Sequence, residues 1–203
     1  LHHISGHKPV SVMLHLLRGA RASPQLIKAV KNFRCDVCTE LEKDATVVKF
    51  KMPSTYAFNY CVGLNAFYLK DSEGITFGFL SIVCSGTTFH AAPLVCTGHG
   101  NPLSSKCLSK FQSHWTTWAG WPAFISTDRG LHNRGVFARA MVLNGTYQRS
   151  AGLEAHEHLG RTERHGDMLK KVAKKLVRQF SIIGKRQMKS IMYVAVETKN
   201  DSM

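Results

Sequence analysis

The stretch Cys61-Val62-Gly63-Leu64-Asn65-Ala66-Phe67-Tyr68-Leu69, then Lys70-Asp71-Ser72-Glu73-Gly74, then Ile75-Thr76-Phe77-Gly78-Phe79-Leu80-Ser81-Ile82-Val83-Cys84, decides the fold. Two runs of apolar, β-branched and aromatic residues flank a short polar segment with the composition of a reversing turn, so the stretch reads as a β-hairpin. Downstream, Thr87 to Val95 reads as a third strand, and Pro102 to Ala119 has helical spacing, with Leu103, Cys107, Leu108 and Phe111 on one side. A short strand from Pro122 to Thr127 ends at Asp128. A helix over 133–143, a strand over 146–149 and long helices over 157–180 and 185–199 complete the pattern. Strands followed by alternating helices and strands make an α/β fold, a mixed sheet covered by helices, over residues 59–203.

Upstream of the hairpin the texture changes. Residues 39–58 mix charges, short hydrophobics and Pro53 without sustained periodicity, and read as a linker. Residues 1–38 read as a compact helical unit. Ser11 is placed to cap a helix carrying Val12, Met13, Leu16 and Leu17, and Ser23-Pro24 opens a second carrying Leu26, Ile27, Val30 and Phe33. So short a unit buries little apolar area and needs a staple. His2, His7, Cys35 and Cys38 supply one, in the pattern His-x4-His-x27-Cys-x2-Cys. Zinc takes four nitrogen or sulfur ligands in a tetrahedron, and Cys-x2-Cys lets two thiolates converge from one turn. His3 is an alternative to His2 as the first ligand.

The chain carries 27 Lys and Arg against 13 Asp and Glu, a formal charge of +14. Such a surplus attracts polyanions, nucleic acid first among them. It sits at the ends: residues 1–38 hold six basic and one acidic residue and 164–189 hold nine and one, whereas 55–127 hold only Lys70, Lys106, Lys110, Asp71 and Glu73. No apolar run reaches the roughly 20 residues of a membrane span, so a membrane role is not expected. The chain opens at Leu1 and stops at Met203 inside a helical pattern, and reads as part of something longer. Trp115, Trp118 and Trp121, spaced by three, read as a helix packing on the sheet, with base stacking as the alternative.

Two acidic positions stand out in the second block. Asp128 lies where a strand ends, the place where open sheets bind ligands. Glu163 leads a helix whose apolar stripe is Met168, Leu169, Val172, Ala173, Leu176 and Val177. Along that helix Lys170 and Lys174 each fall within about 20° of Glu163, on the opposite face. One carboxylate therefore heads a row of lysines, an arrangement suited to a metal ion at one end and a phosphate backbone along the rest.

A histidine pair, Cys-x2-Cys, a linker, and then Asp128 and Glu163 with 34 residues between them resembles the integrase of long-terminal-repeat retrotransposons and retroviruses over essentially the whole chain. The resemblance implies a zinc-stabilised helical domain, then an RNase H-like core with a five-stranded mixed sheet. Its catalytic set of two aspartates and a glutamate would hold Mg²⁺ or Mn²⁺ for two-metal phosphoryl transfer, first trimming a DNA end and then joining its 3′-hydroxyl to a target. By the resemblance Asp128 is the second aspartate, Glu163 the glutamate, and Lys170 a DNA contact, with Lys171, Lys174 and Lys175 beside it. DNA partners, a homo-oligomer and a nuclear location are implied in the same way. One position departs from the pattern: the first aspartate belongs in Val62-Gly63-Leu64-Asn65-Ala66-Phe67, and Asn65 stands there. An amide is neutral and a weak Mg²⁺ ligand, so catalysis is expected to be impaired. The alternative reading is a non-catalytic nucleic-acid-binding or assembly module derived from an integrase.

Overall fold

The computed structural model of the chain describes residues 2–3, 6–41, 57–98, 100–128, 130, 133–150 and 156–201. Most of the expected linker lies outside these residues. Three short helices come first: α1 (Val10–Gly19), α2 (Pro24–Lys31) and α3 (Asp36–Leu41). Ser23 caps α2, its Oγ accepting from the Leu26 N–H at 3.3 Å, and Pro24 occupies the tolerated first position. Ser11 does not cap α1. That helix starts at Val10 directly after Pro9, so Ser11 lies within its first turn. Met13 and Val30 are buried, but Leu16, Leu26 and Phe33 remain exposed, so these helices share little apolar interior.

The hairpin forms as its composition predicts. Strand β1 (Cys61–Lys70) pairs antiparallel with β2 (Thr76–Cys84), from Val62 opposite Cys84 to Lys70 opposite Thr76. Asp71 closes the turn. Its Oδ1 accepts from the backbone N–H groups of Glu73 at 3.1 Å and Ile75 at 2.8 Å, and its Oδ2 accepts from that of Gly184 at 2.9 Å. One buried carboxylate thus shapes the hairpin and anchors the start of the last helix.

The expected third strand is two, β3 (His90–Ala91) and β4 (Leu94–Thr97), both paired with β2. Pro93 causes the break. It has no N–H to donate, although its carbonyl still accepts from Leu80 at 2.9 Å. Then come α4 (Ser104–Phe111), a π-helical turn (Gln112–Thr116), α5 (Thr117–Ala119), β5 (Phe124–Thr127), α6 (Val136–Leu143), β6 (Tyr147–Ser150), α7 (His156–Phe180) and α8 (Gly184–Asn200). The sheet runs β3-β2-β1-β5-β6 with β4 also on β2, giving six strands where five were expected. Strands β1, β5 and β6 are parallel to one another, and the remaining pairs are antiparallel. The fold is a mixed α/β sheet with helices on both faces.

Alternation along β1 and β2 assigns those faces. Val62, Leu64, Leu80 and Ile82 point into one core with Phe111, Trp115, Phe137 and Met141. Phe67, Leu69, Phe77 and Phe79 point into the other with Leu169, Ala173, Leu176 and Met192. Trp115 is fully buried and donates from Nε1 to Asn59 Oδ1 at 2.8 Å, whereas Trp118 stays 53% exposed. Trp118 nevertheless packs one side of its ring against Phe58, Phe89 and Trp115. Met168, read as part of the α7 stripe, is also exposed, and Thr162 and Gly166 take the corresponding places against the sheet.

Helix α7 approaches β1 closely because Gly63 has no side chain. A Cβ there would lie 1.9 Å from Thr162 Oγ1 and 2.8 Å from its Cγ2. Gly63→Ala is expected to cost about 1–3 kcal/mol by forcing α7 off the sheet. Urea denaturation followed by tryptophan fluorescence reads this as a lower midpoint; an unchanged midpoint would show that the helix shifts freely.

A candidate metal centre and a carboxylate site under α7

His2, His7, Cys35 and Cys38 converge. One ligand atom from each lies within 4.8 Å of all the others, the sole such group of His, Cys, Asp and Glu among the described residues. Cys35 Sγ is 3.4 Å from His7 Nδ1, and Cys38 Sγ is 3.4 Å from His2 Nε2 and 3.5 Å from His7 Nδ1. A tetrahedral zinc with bonds of about 2.0–2.1 Å to nitrogen and about 2.3 Å to sulfur separates N from S by about 3.5 Å, so both the donor set and its spacing fit Zn²⁺. Of the two candidates for the first ligand, His2 is the one that joins this group. His3 is exposed, with its Nε2 3.9 Å from Cys35 Sγ.

The surroundings tune these ligands. Burial holds His2 and His7 below the usual imidazole range, with the neighbouring histidines adding to the effect, so both favour the neutral form that ligates. Burial pushes the Cys38 thiol up, and the ammonium of Lys175, 3.3 Å from its sulfur, pulls it back. His7 adopts φ +60°, a left-handed conformation that costs a non-glycine residue about 1–2 kcal/mol and places its Nδ1 beside both sulfurs.

The sheet brings the second set of residues into register. Cys61–Leu64 of β1 pair in parallel with Phe124–Thr127 of β5, so Asn65 and Asp128 each stand one residue beyond the last rung, Leu64 opposite Thr127. Asn65 follows Gly63 and precedes Phe67 on the sheet face that α7 covers. On α7, Thr162 lies over Gly63, and Gly166 lies over Ser81, the cross-strand partner of Asn65. Glu163 follows Thr162 on the exposed side of the helix. Asp128 is oriented by its loop, its Oδ1 accepting from Gly130 N–H at 3.0 Å and from Asn133 Nδ2 at 2.7 Å. Neither contact was legible in the sequence: Gly130 belongs to no periodic element, and Asn133, read as the start of the helix over 133–143, lies ahead of α6 (Val136–Leu143).

Beside Asn65 lies a buried polar pair that periodicity also concealed. Ser81 Oγ and His90 Nε2 are 2.8 Å apart. Burial, with Lys199 nearby, keeps His90 well below the usual imidazole range. Burial likewise lowers Lys199 to about 8, while its ammonium donates to the Thr88 carbonyl at 3.0 Å. Lys171 and Lys174 are exposed on α7 and Lys170 is half-buried. Lys175 turns instead to Cys38 and leaves the expected DNA face.

No family model and no curated protein matches the sequence. The solved structures do match. The simian T-cell lymphotropic virus intasome, determined in complex with PP2A regulatory subunit B56 gamma, superposes with a TM-score of 0.61 at 14% identity, covering 91% of this chain and 67% of that one. The chain has an integrase fold. The HTLV-2 integrase catalytic core domain with magnesium aligns in its trimeric form with a TM-score of 0.53 at 15% identity, over 69% of this chain and 84% of that one. Its dimeric form gives 0.52 at 13% identity, over 67% and 85%. The intasome match spans more of this chain than either core domain does. Among the described residues, no helix is long and apolar enough to cross a membrane.

Proposed function

We propose that this chain is an integrase-related DNA strand-transfer protein, of retrotransposon type and acting on nuclear DNA, whose chemistry is slowed by Asn65. The observation that carries the reading is the register: Asn65 and Asp128 stand side by side at the end of a parallel strand pair, beneath the helix that bears Glu163. In the reaction class this suits, the 3′-hydroxyl oxygen of a DNA end forms a bond to a target phosphorus and the target's own 3′-oxygen leaves. Divalent cations, when bound, stabilise the attacking and leaving oxygens of such a displacement.

Asp128 and Glu163 would hold the cation, with the Asn65 amide oxygen as a neutral third donor. Two carboxylates and an amide balance the charge of one divalent ion and fall short of two. That shortfall also favours a second reading, in which the chain binds DNA or assembles on it without chemistry. A disintegration and strand-transfer assay on short duplexes in Mn²⁺ tests the catalytic reading.

Both readings place DNA along α7, where Lys170, Lys171 and Lys174 supply phosphate contacts and the +14 surplus gathers the polyanion. Affinity for duplex DNA should fall steeply with salt. Lys171→Ala and Lys174→Ala should each reduce the slope of log affinity against log salt concentration by about one. A slope unmoved by both substitutions together would remove α7 from the interface. The dimeric and trimeric forms of the HTLV-2 core support an oligomeric working state.

A further inference from the structure

The metal centre lies at the joint between the amino-terminal helices and the sheet domain. Helix α3 packs on α7. From α7, Lys175 Nζ donates to Cys38 Sγ at 3.3 Å, and Gln179 Oε1 accepts from His7 Nε2. Lys175 and Gln179 are four residues apart, so they share one face of the helix. From α8, Thr198 closes on the His2–His7 turn: at Gly6, which has φ +69°, an added Cβ would sit 2.7 Å from both Thr198 Cγ2 and Oγ1. An exposed Arg178–Glu40 pair at 3.7 Å adds little.

The chemistry of these contacts depends on the metal. His7 offers Nδ1 to the ligand cluster, so its Nε2 carries the proton, and the Gln179 carbonyl accepts it and holds that tautomer. A metal-bound imidazole is a stronger N–H donor than a free one. A metal-bound cysteine is a thiolate and accepts from an ammonium more strongly than a thiol does. Both contacts therefore strengthen when the ligands are loaded, and by linkage whatever favours the contacts favours the metal. We propose that Lys175 and Gln179 are outer members of the zinc site, so that Zn²⁺ binding and docking of the amino-terminal helices onto α7 and α8 are one coupled equilibrium. On this reading the apparent affinity for zinc is partly a property of α7.

The test measures Zn²⁺ affinity of the whole chain by competition with a chromophoric chelator, and amide hydrogen exchange over residues 172–180 with and without Zn²⁺. Lys175→Ala and Gln179→Ala should each weaken zinc binding by about tenfold. Gln179→Leu, which keeps the packing but cannot accept a hydrogen bond, should match Gln179→Ala. Lys175→Arg, which keeps a charged donor, should retain most of the affinity. Lys185→Ala, on exposed α8 surface, is the control and should bind as the parent chain does. Zinc removal from the parent chain should raise exchange over 172–180. Unaltered affinity in Gln179→Leu and Lys175→Ala overturns the proposal, as does exchange in α7 that ignores Zn²⁺.

Discussion

Asn65→Asp should raise the rate of strand transfer in Mn²⁺ by on the order of 10³-fold or more, the scale on which single members of a catalytic set act. The physical basis is charge. An aspartate at this position would stand beside Asp128, just past the end of the neighbouring strand β5, and add the third carboxylate, bringing the negative charge of the set closer to that of two divalent ions. The substitution is nearly isosteric, and Asn65 is only partly buried, so the fold should absorb it with little loss of stability. The comparison uses disintegration as well as strand transfer, because disintegration asks less of assembly on DNA ends. Activity confined to the aspartate variant identifies Asn65 as the weakened ligand. Equal activity in both chains would mean that another group supplies the third donor, and the role given to Asn65 would be wrong. Inactivity in both, with DNA binding retained, favours the binding-module reading.

Removing zinc should have the largest structural effect. Structural Zn²⁺ sites of this kind carry apparent binding free energies on the order of 10 kcal/mol at neutral pH, and the amino-terminal helices have little else to hold them. Met13 and Val30 are their main buried apolar contributions, and Leu16, Leu26 and Phe33 face solvent. A strong chelator is expected to abolish the far-UV circular dichroism of α1, α2 and α3, and readdition of Zn²⁺ to restore it. The sheet and helices α4–α8 should keep their cooperative unfolding transition, since their two apolar cores contain none of the zinc ligands. Cys38→Ser should reproduce the chelator's effect. Full helicity in the metal-free chain would contradict a structural role for the ion.

The chain makes the hairpin legible because its signals are local. Near-continuous apolar runs flank the turn between Asp71 and Gly74, and the observed register closes on that turn. Helices α7 and α8 are legible for the same reason, as sustained 3.6-residue patterns, and the four metal ligands as spacing within a unit too small to fold on apolar burial. Asp128 and Glu163 were singled out by place and spacing, and Asn65 by the aspartate expected there. What tertiary structure alone decides is long-range. Pro93 splits one apparent strand into two, because losing a donor matters only once β2 is the partner. Thr162 and Gly166 take the inner face of α7 and Met168 turns outward, because Gly63 lets that helix lie closer to the sheet than its own periodicity reveals. Lys175 looks identical to Lys174 in the sequence, yet one faces solvent and the other a cysteine more than a hundred positions away. Spacing along the chain reports which residues share an element, whereas the partner of a side chain is set by which elements pack together. For that reason the four residues that converge, His2, His7, Cys35 and Cys38, could be read from the sequence, and the lysine and glutamine behind them could not.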